Sequence, residues 1–583
     1  MPDQTKYLAI TISGAVSLGS YEAGATYEIL DAIRQHNENP ETIETGDYIR
    51  IDVLTGASAG GMTAAILAQK LLFAKDAFVG PDGRSSPYDN PLYNTWVLRI
   101  SLAGLLNLVD KPVPQGDPAT LSLLSSNLIE QISKDTLAQK DATGQIPLDG
   151  GAHNAIDPER GIRLGLALTN LNGVNYQYTM FGGDQFRYTD FSDQMLRLLP
   201  VTDRSFAVWE EISEAAVACG AFPFAFRAKE LPRLQADYLP SDTLVNFPAD
   251  PYTFTYTDGG VLQNQPLGMA KNLVDENDRH LENDRRFYLF VSPSPMEGRQ
   301  DLTLHQKNAD LIKVAKRLAD VYMTQSTFRD WIKAQEINTQ IEILDLRAKG
   351  LALALLAGEI DAGTLAVASQ QVLTLLYLTD PGVETQEQAE LRLAHQYAEE
   401  IVLLAVPDNP DAPDGSVAVK VNAFLHAILA LEKTADLGER DRMQIYGIVT
   451  GDGNLAGAGV FAFVGFFDQA FRDHDYDWGR TVAQKLLANP DFNKLPGLGE
   501  LGQLGPIRYT PAPIRPIDAS LTGLKLKDIP DGDVKTLKDG LTERINQILK
   551  DVLPNPLERY PAQLGADLLL KGLLDWEFSG SKQ

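Results

Sequence analysis

Ser58 lies in the run LTGASAGGMT (54–63), where Gly56, Ser58 and Gly60 match G-x-S-x-G. That spacing folds as a sharp strand-to-helix turn that lifts a hydroxyl clear of the backbone. A serine presented in this way attacks a carbonyl, and it needs a base within hydrogen-bond reach and N–H donors for the oxyanion that forms. Asp258, in TDGG (257–260), ends the β-rich run TFTYT, and Gly259 and Gly260 after it let the backbone come close to another loop. Its ordinary pKa of about 3.9 makes it an ionised base at neutral pH. Gly14, Ala15 and Val16, in SGAVSLG (13–19), follow another β-rich run and offer backbone N–H groups for the oxyanion, with Ala59 a further donor at the start of its helix.

Each of these residues has a plainer reading beside the chemical one. Ser58 alone could simply cap a helix. Asp149 also stands in a D-G-G, PLDGGAHN, but it follows a polar loop and lacks the NQP that continues after Asp258, so it reads as a turn residue. A Ser/acid/His triad is the mechanistic rival, because His280, His305, His395, His426 and His474 all follow Ser58; none stands in a recognisable loop after a core strand. GAVSLGS (14–20) lacks the lysine of a phosphate-binding loop. Asp473, Asp475 and Asp477 alternate as in a calcium loop, yet Trp478 takes the glycine position and Gln484 that of the closing glutamate, so a solvated loop is expected. Cys219, between Ala218 and Gly220 on an apolar helix, reads as a core residue.

The elements that must position these groups follow from periodicity. Residues 7–12 read as a strand, 13–19 as a tight loop and 21–33 as a helix; 50–55 and 59–73 repeat the strand and helix. Further buried strands are expected at 163–169, 253–257 and 287–291, with a helix at 210–221 among them. This is the alternation of an α/β fold with a mainly parallel sheet flanked by helices, and such sheets carry their sites at strand C-terminal ends. After about residue 300 helical patterns dominate, at 311–323, 325–348, 365–376 and 386–404, with an exposed Pro/Asp loop at 406–416. The expected organisation is an α/β domain over 1–300 and a mostly helical one over 301–583, with a β-like run at 444–450 returning to the sheet and 440–480 packing on the first domain.

The whole chain narrows the function classes. At 583 residues, 44% hydrophobic and 22% charged, it is an ordinary globular protein with ample core. A net charge of −27 and no basic run set nucleic acid aside, and disfavour anionic bilayers while leaving peripheral contact with lipid or micelles open. One cysteine excludes an internal disulfide and favours a cytoplasmic setting. The N-terminus reads as a strand rather than a signal peptide. The longest apolar run, 455–467, is too short for the ~20 residues of a membrane span, and it reads as buried core. An amphipathic segment at 561–578 is expected to dock on the helical half.

SGAVSLGSYEAG, GASAGG and DGGVLQNQPL together resemble the patatin-like phospholipases. LLSSNLIEQI (123–132), LALTNLNG (166–173) and EAAVACGAFPFAF (214–226) extend the resemblance over roughly 6–295, and 455–480 is similar to the C-terminal part of a bacterial subgroup. The resemblance implies a three-layer α/β fold, hydrolysis of lipid acyl esters by a Ser58/Asp258 dyad, a backbone oxyanion hole, and neither metal nor cofactor. Gly19, Gly56, Ala59, Gly60, Gly259 and Gly260 support the motifs. The oxyanion loop departs from the family's G-G-G-x-R-G, with Ala15 and Val16 at glycine positions and Leu18 at that of the arginine. Ala and Val resist positive φ, so a second expectation is an inactive protein of the same fold that binds a partner through its helical half, the partner unknown.

Overall fold

The computed structural model describes residues 4–106, 122–179, 185–223, 225–238, 243–277, 285–294, 304–305, 311–379, 384–406, 416–435, 437, 443, 445–450, 453–458, 462–488, 507–522, 531–552, 559 and 563. The segment at 561–578 lies almost wholly outside them.

The first half alternates β1 (Lys6–Ile12), α1 (Gly19–Glu38), β2 (Ile49–Gly56), α2 (Ala59–Phe73), α3 (Asn127–Leu137), β3 (Ile162–Thr179), β4 (Gln185–Leu199), α4 (Phe206–Cys219), β5 (Lys229–Arg233), β6 (Tyr252–Asp258), α5 (Leu267–Asn277) and β7 (Arg286–Ser292). Then come α6 (Leu311–Leu356), α7 (Ala362–Thr379), α8 (Gln386–Gln396), α9 (Ala398–Leu404), α10 (Ser416–Thr434), β8 (Ile445–Val449), α11 (Gln469–Leu487) and α12 (Asp531–Val552). The sheet order is β5-β6-β3-β2-β1-β7-β8, with β4 beside β3. β3, β2, β1, β7 and β8 are parallel, whereas β4 and β6 run antiparallel to β3, and β5 to β6. The fold is therefore the expected α/β sheet flanked by helices, mostly parallel but mixed.

Local sequence explains the central elements. β1 and β7 are buried on both faces, as strands covered by helices on each side must be, and so read as continuous apolar runs. α2 buries 14 of its residues all round, so its composition is apolar without a polar stripe.

Two compact units divide the chain. One comprises Met1–Leu273, Asp284–Arg329 and Ile445–Gln583; the other comprises Val274–Asn283 and Asp330–Gln444. The second holds its own core of residues such as Ile341, Leu373, Leu393, Phe424 and Ile428, with Arg392 between Glu384 and Glu432. In the first, the run at 444–450 does return to the sheet, as β8 pairs in parallel with β7. The two helices read at 311–323 and 325–348 are one, and the helix read at 386–404 is two, meeting at Tyr397. Asp473, Asp475 and Asp477 stand on α11 rather than in a solvated loop. They take bonds from Tyr93 and Arg515, from the N–H groups of Ala456 and Gly457, and from Tyr88 and Arg515 respectively.

α11 crosses α1 closely. A Cβ on Gly24 would fall 2.0 Å from the Tyr476 carbonyl oxygen, and at the same crossing the Arg480 guanidinium meets Glu28 at 3.0 Å, both side chains fully buried. Backbone cannot step aside as a side-chain tip can. Gly24→Ala is therefore expected to cost about 1–3 kcal/mol in urea unfolding, and an unchanged midpoint would show that the crossing is looser than this geometry.

Candidate active site

The register of β3 brings Ser58 and Asp258 together. β4 occupies one edge of β3, with Met195 opposite Leu166 and Asp193 opposite Leu168. On the other edge β2 pairs up to Gly56 opposite Leu166, and β6 begins two residues on with Asp258 opposite Leu168. A strand has two edges, so β2 and β6 share one and meet there end to end, C-terminus to C-terminus. Ser58, two residues past Gly56, is thereby level with Asp258.

Ser58 Oγ donates to Asp258 Oδ2 at 2.6 Å, with the residues 5% and 2% exposed. Asp258 Oδ1 accepts the Gly260 N–H at 2.7 Å, its carbonyl accepts Thr169 Oγ1 at 2.8 Å, and its own N–H donates to the Ala221 carbonyl at 3.0 Å. A residue held at two points on its carboxylate and two on its main chain cannot swing away. Ser58 caps α2 at φ 51°, ψ −127°, a backbone shape that an L residue adopts only at a cost of about 1–3 kcal/mol. The turn closes because Gly56 and Gly60 touch: a Cβ on Gly56 would lie 2.3 Å from the Gly60 carbonyl oxygen, and one on Gly60 would lie 2.3 Å from that of Ser13.

Burial pushes the Asp258 carboxyl up to about 7, against the pull of the Ser58 and Gly260 hydrogen bonds. The expectation of a fully ionised base at neutral pH is corrected accordingly. Asp258 gives up its charge near neutrality because desolvation of the carboxylate outweighs two donors.

The loop at 14–16, expected to hold the oxyanion, is arranged differently from that expectation at Gly14. The Gly14 N–H is taken by the Asn264 carbonyl at 3.0 Å, while among the described residues the N–H groups of Ala15 and Val16 have no partner. Val16 adopts φ 52° despite its β-branch, whereas Ala15 stays at φ −140°. So the positive φ that valine resists is nonetheless present, at one position of the two. Ala59 follows Ser58 in the first turn of α2, where backbone N–H groups favour negative charge. Gly19 packs against the Trp96 ring and Gly259 against the Ala167 carbonyl.

Among the described residues none of the rival acids and histidines is bonded to Ser58 or Asp258. Asp149 bonds by its N–H to the carbonyl of Phe73, the last residue of α2, about 22 Å along that helix from Ser58. His474 bonds Asp475 at 3.1 Å and stacks on Trp478, and His426 pairs with Glu390; His280 lies outside the described residues. Cys219 is buried, its thiol pushed up by desolvation and 3.8 Å from the Gly56 carbonyl, a core residue beneath the elbow. Asn264 was not singled out by sequence reading. Its amide oxygen lies where a side chain on Gly14 or Gly260 would start, and the signal for it was the NQP that distinguishes the second D-G-G from the first. Among the described residues no helix is long and apolar enough to cross a membrane.

Residues 10–271 match the family model of patatin-like phospholipase. An uncharacterized protein of Sinorhizobium fredii is 23% identical over 402 residues, which cover 55% of this chain and 54% of that protein. An uncharacterized membrane protein of Mycobacterium tuberculosis is 25% identical over 327 residues, 49% of this chain and 27% of that protein. The chain thus spans about half the length of the first and about a quarter of the second. Among solved structures, VipD from Legionella pneumophila matches at a TM-score of 0.17 and 12% identity, over 98% of this chain and 88% of that one.

The raised Asp258 pKa has a consequence for stability. The folded state binds this proton more tightly than the unfolded state, so its contribution is full below about pH 4 and is lost as pH rises toward 7. Asp258→Asn removes the buried charge. It is expected to be more stable than wild type at pH 8, by on the order of 2–4 kcal/mol, and to show no gain at pH 4. Equal shifts at both pH values in calorimetry would mean that the carboxyl is not desolvated.

Proposed function

We propose that this chain, whose residues 10–271 match the family model of patatin-like phospholipase, is a serine hydrolase of lipid acyl esters, of phospholipase A or lysophospholipase type, working through Ser58 and Asp258. The observation that carries the reading is the 2.6 Å hydrogen bond between the two buried side chains.

Ser58 Oγ attacks the ester carbonyl while Asp258 Oδ2 takes its proton. The oxyanion gathers on the N–H groups of Ala15 and Val16, with the first turn of α2 behind Ser58 adding its positive end. Asp258, now protonated, gives the proton to the leaving alcohol; a water deprotonated by the same carboxylate then attacks the acyl-serine, and the proton passes back to Ser58 Oγ as its bond to the acyl group breaks. A base that titrates near 7 suits both halves of this cycle, since it can take and give a proton at neutral pH without a large mismatch in either direction.

Two measurements test this. Nitrophenol release from acyl esters and labelling by a fluorophosphonate are both expected, and both are expected to vanish in Ser58→Ala; a wild-type protein inert to each under several lipid conditions would favour the partner-binding alternative. In the active protein, kcat/KM should rise about tenfold per pH unit below about 7 and level off above it. A flat profile from pH 5 to 8 would indicate a base of ordinary carboxylate acidity and would overturn the raised Asp258 pKa.

A further inference from the structure

Val16 holds a positive φ at the centre of the oxyanion loop, and a β-branched residue keeps such a shape only where its surroundings over-determine it. Bonds inside the loop do not supply this. The Leu18 N–H to the Ala15 carbonyl at 2.9 Å, and the Gly19 N–H to that of Val16, would survive if the loop moved as a body. Outside the loop, the Asn264 carbonyl holds the Gly14 N–H at 3.0 Å at its start, and the anchor next to Val16 is Ser17. Its hydroxyl is fully buried, donates to the Ala462 carbonyl and accepts the Gly465 N–H at 3.2 Å.

The anchoring turn is itself held in place. Ala462 has φ 64°, and the carbonyls of Gly465 and Phe466 accept from Arg472 Nη1 at 2.9 and 3.3 Å. Arg472, 3% exposed, donates its Nε–H to the Val97 carbonyl at 2.9 Å. These bonds satisfy main-chain carbonyls that a packed apolar side chain would leave bare, and they fix the turn's backbone in place. Gly465 also presses on the hydroxyl: a Cβ there would fall 2.5 Å from Ser17 Oγ.

We infer that Ser17 is a positioning residue, clamped by the turn at 462–466, that keeps Val16 at positive φ and so aims the Ala15 and Val16 N–H groups. The kinetic side of this rests on the proposed ester hydrolysis; the structural side rests on the contacts alone. Released from the clamp, Val16 relaxes to negative φ and its peptide plane turns away from the oxyanion.

The test is Ser17→Ala in the full chain, with and without Val16→Gly, since glycine takes positive φ without a clamp. Ser17→Ala is expected to lower kcat on an acyl ester by about 10- to 100-fold, a fraction of what losing a whole oxyanion donor costs, with KM within about twofold and the melting temperature little changed. Amide exchange of the 13–21 segment should accelerate, and Val16→Gly added to Ser17→Ala should recover most of kcat. Wild-type kcat and exchange in Ser17→Ala would overturn the clamp, as would a loss that follows the melting temperature and is not recovered by the glycine. If the wild-type protein turns over no ester, the hydrolase reading fails instead, and the exchange of 13–21 decides the clamp by itself.

Discussion

A hydroxyl can hand its proton to a carboxylate only across a hydrogen bond, and here that bond exists because two strands end at the same point on a third. β2 stops at Gly56 opposite Leu166, β6 stops at Asp258 opposite Leu168, and one edge of β3 serves both. Neither side chain reaches far: Ser58 has one rotatable heavy-atom bond and Asp258 two. The Ser58–Asp258 geometry is therefore a property of sheet register. A slip of one residue along β3 would turn the Asp258 side chain to the opposite face of the sheet.

The site concentrates cost. Ser58 and Val16 both carry positive φ, and the Asp258 carboxyl is deprived of water. Such features persist only where the surroundings are rigid, and the surroundings explain why these do. α2 is buried along its whole length, Cys219 fills the space under Gly56 and Gly61, and the Asp258 main chain is bonded on both sides, to Thr169 and Ala221. Strain and desolvation of a few kcal/mol are set against a core that would have to open to relieve them.

Much of this was legible in the sequence, for physical reasons. Parallel strands covered on both faces read as unbroken apolar runs, so β1, β2 and β7 stood out, and Ala59–Phe73 was readable to the residue because a strand, two small residues and an apolar helix follow in close order. The antiparallel part was not. β4 is mostly exposed toward its N-terminal end and carries polar residues, so QFRYTDFSDQ gives no buried-strand signal. Periodicity also says nothing of direction, so the opposed approach of β6, on which the Ser58–Asp258 distance depends, had to come from the register. The Asp258 pKa was beyond reach for a similar reason, because TDGG shows a carboxyl and not the absence of water around it. The aspartates of α11 were misread since alternation of acidic residues resembles a loop motif, while their partners Tyr88, Tyr93 and Arg515 are remote in sequence.

The family match ends at 271, but the physical unit that carries the site does not. β7 without β8 would present a long, apolar, unpaired edge, the feature that sheet proteins avoid. Glu28 without Arg480 would be a buried carboxyl stripped of its ion pair, worth several kcal/mol of destabilisation by itself. The loop at 13–19 without the turn at 462–466 would lose both bonds to the Ser17 hydroxyl. Each of these contacts joins the first 300 residues to residues beyond 440, and all lie within the same compact unit. The intervening helices, with a core of their own, are thus an insertion between two parts of one folded body, and the residues after the insertion complete the site's second layer rather than add a separate module.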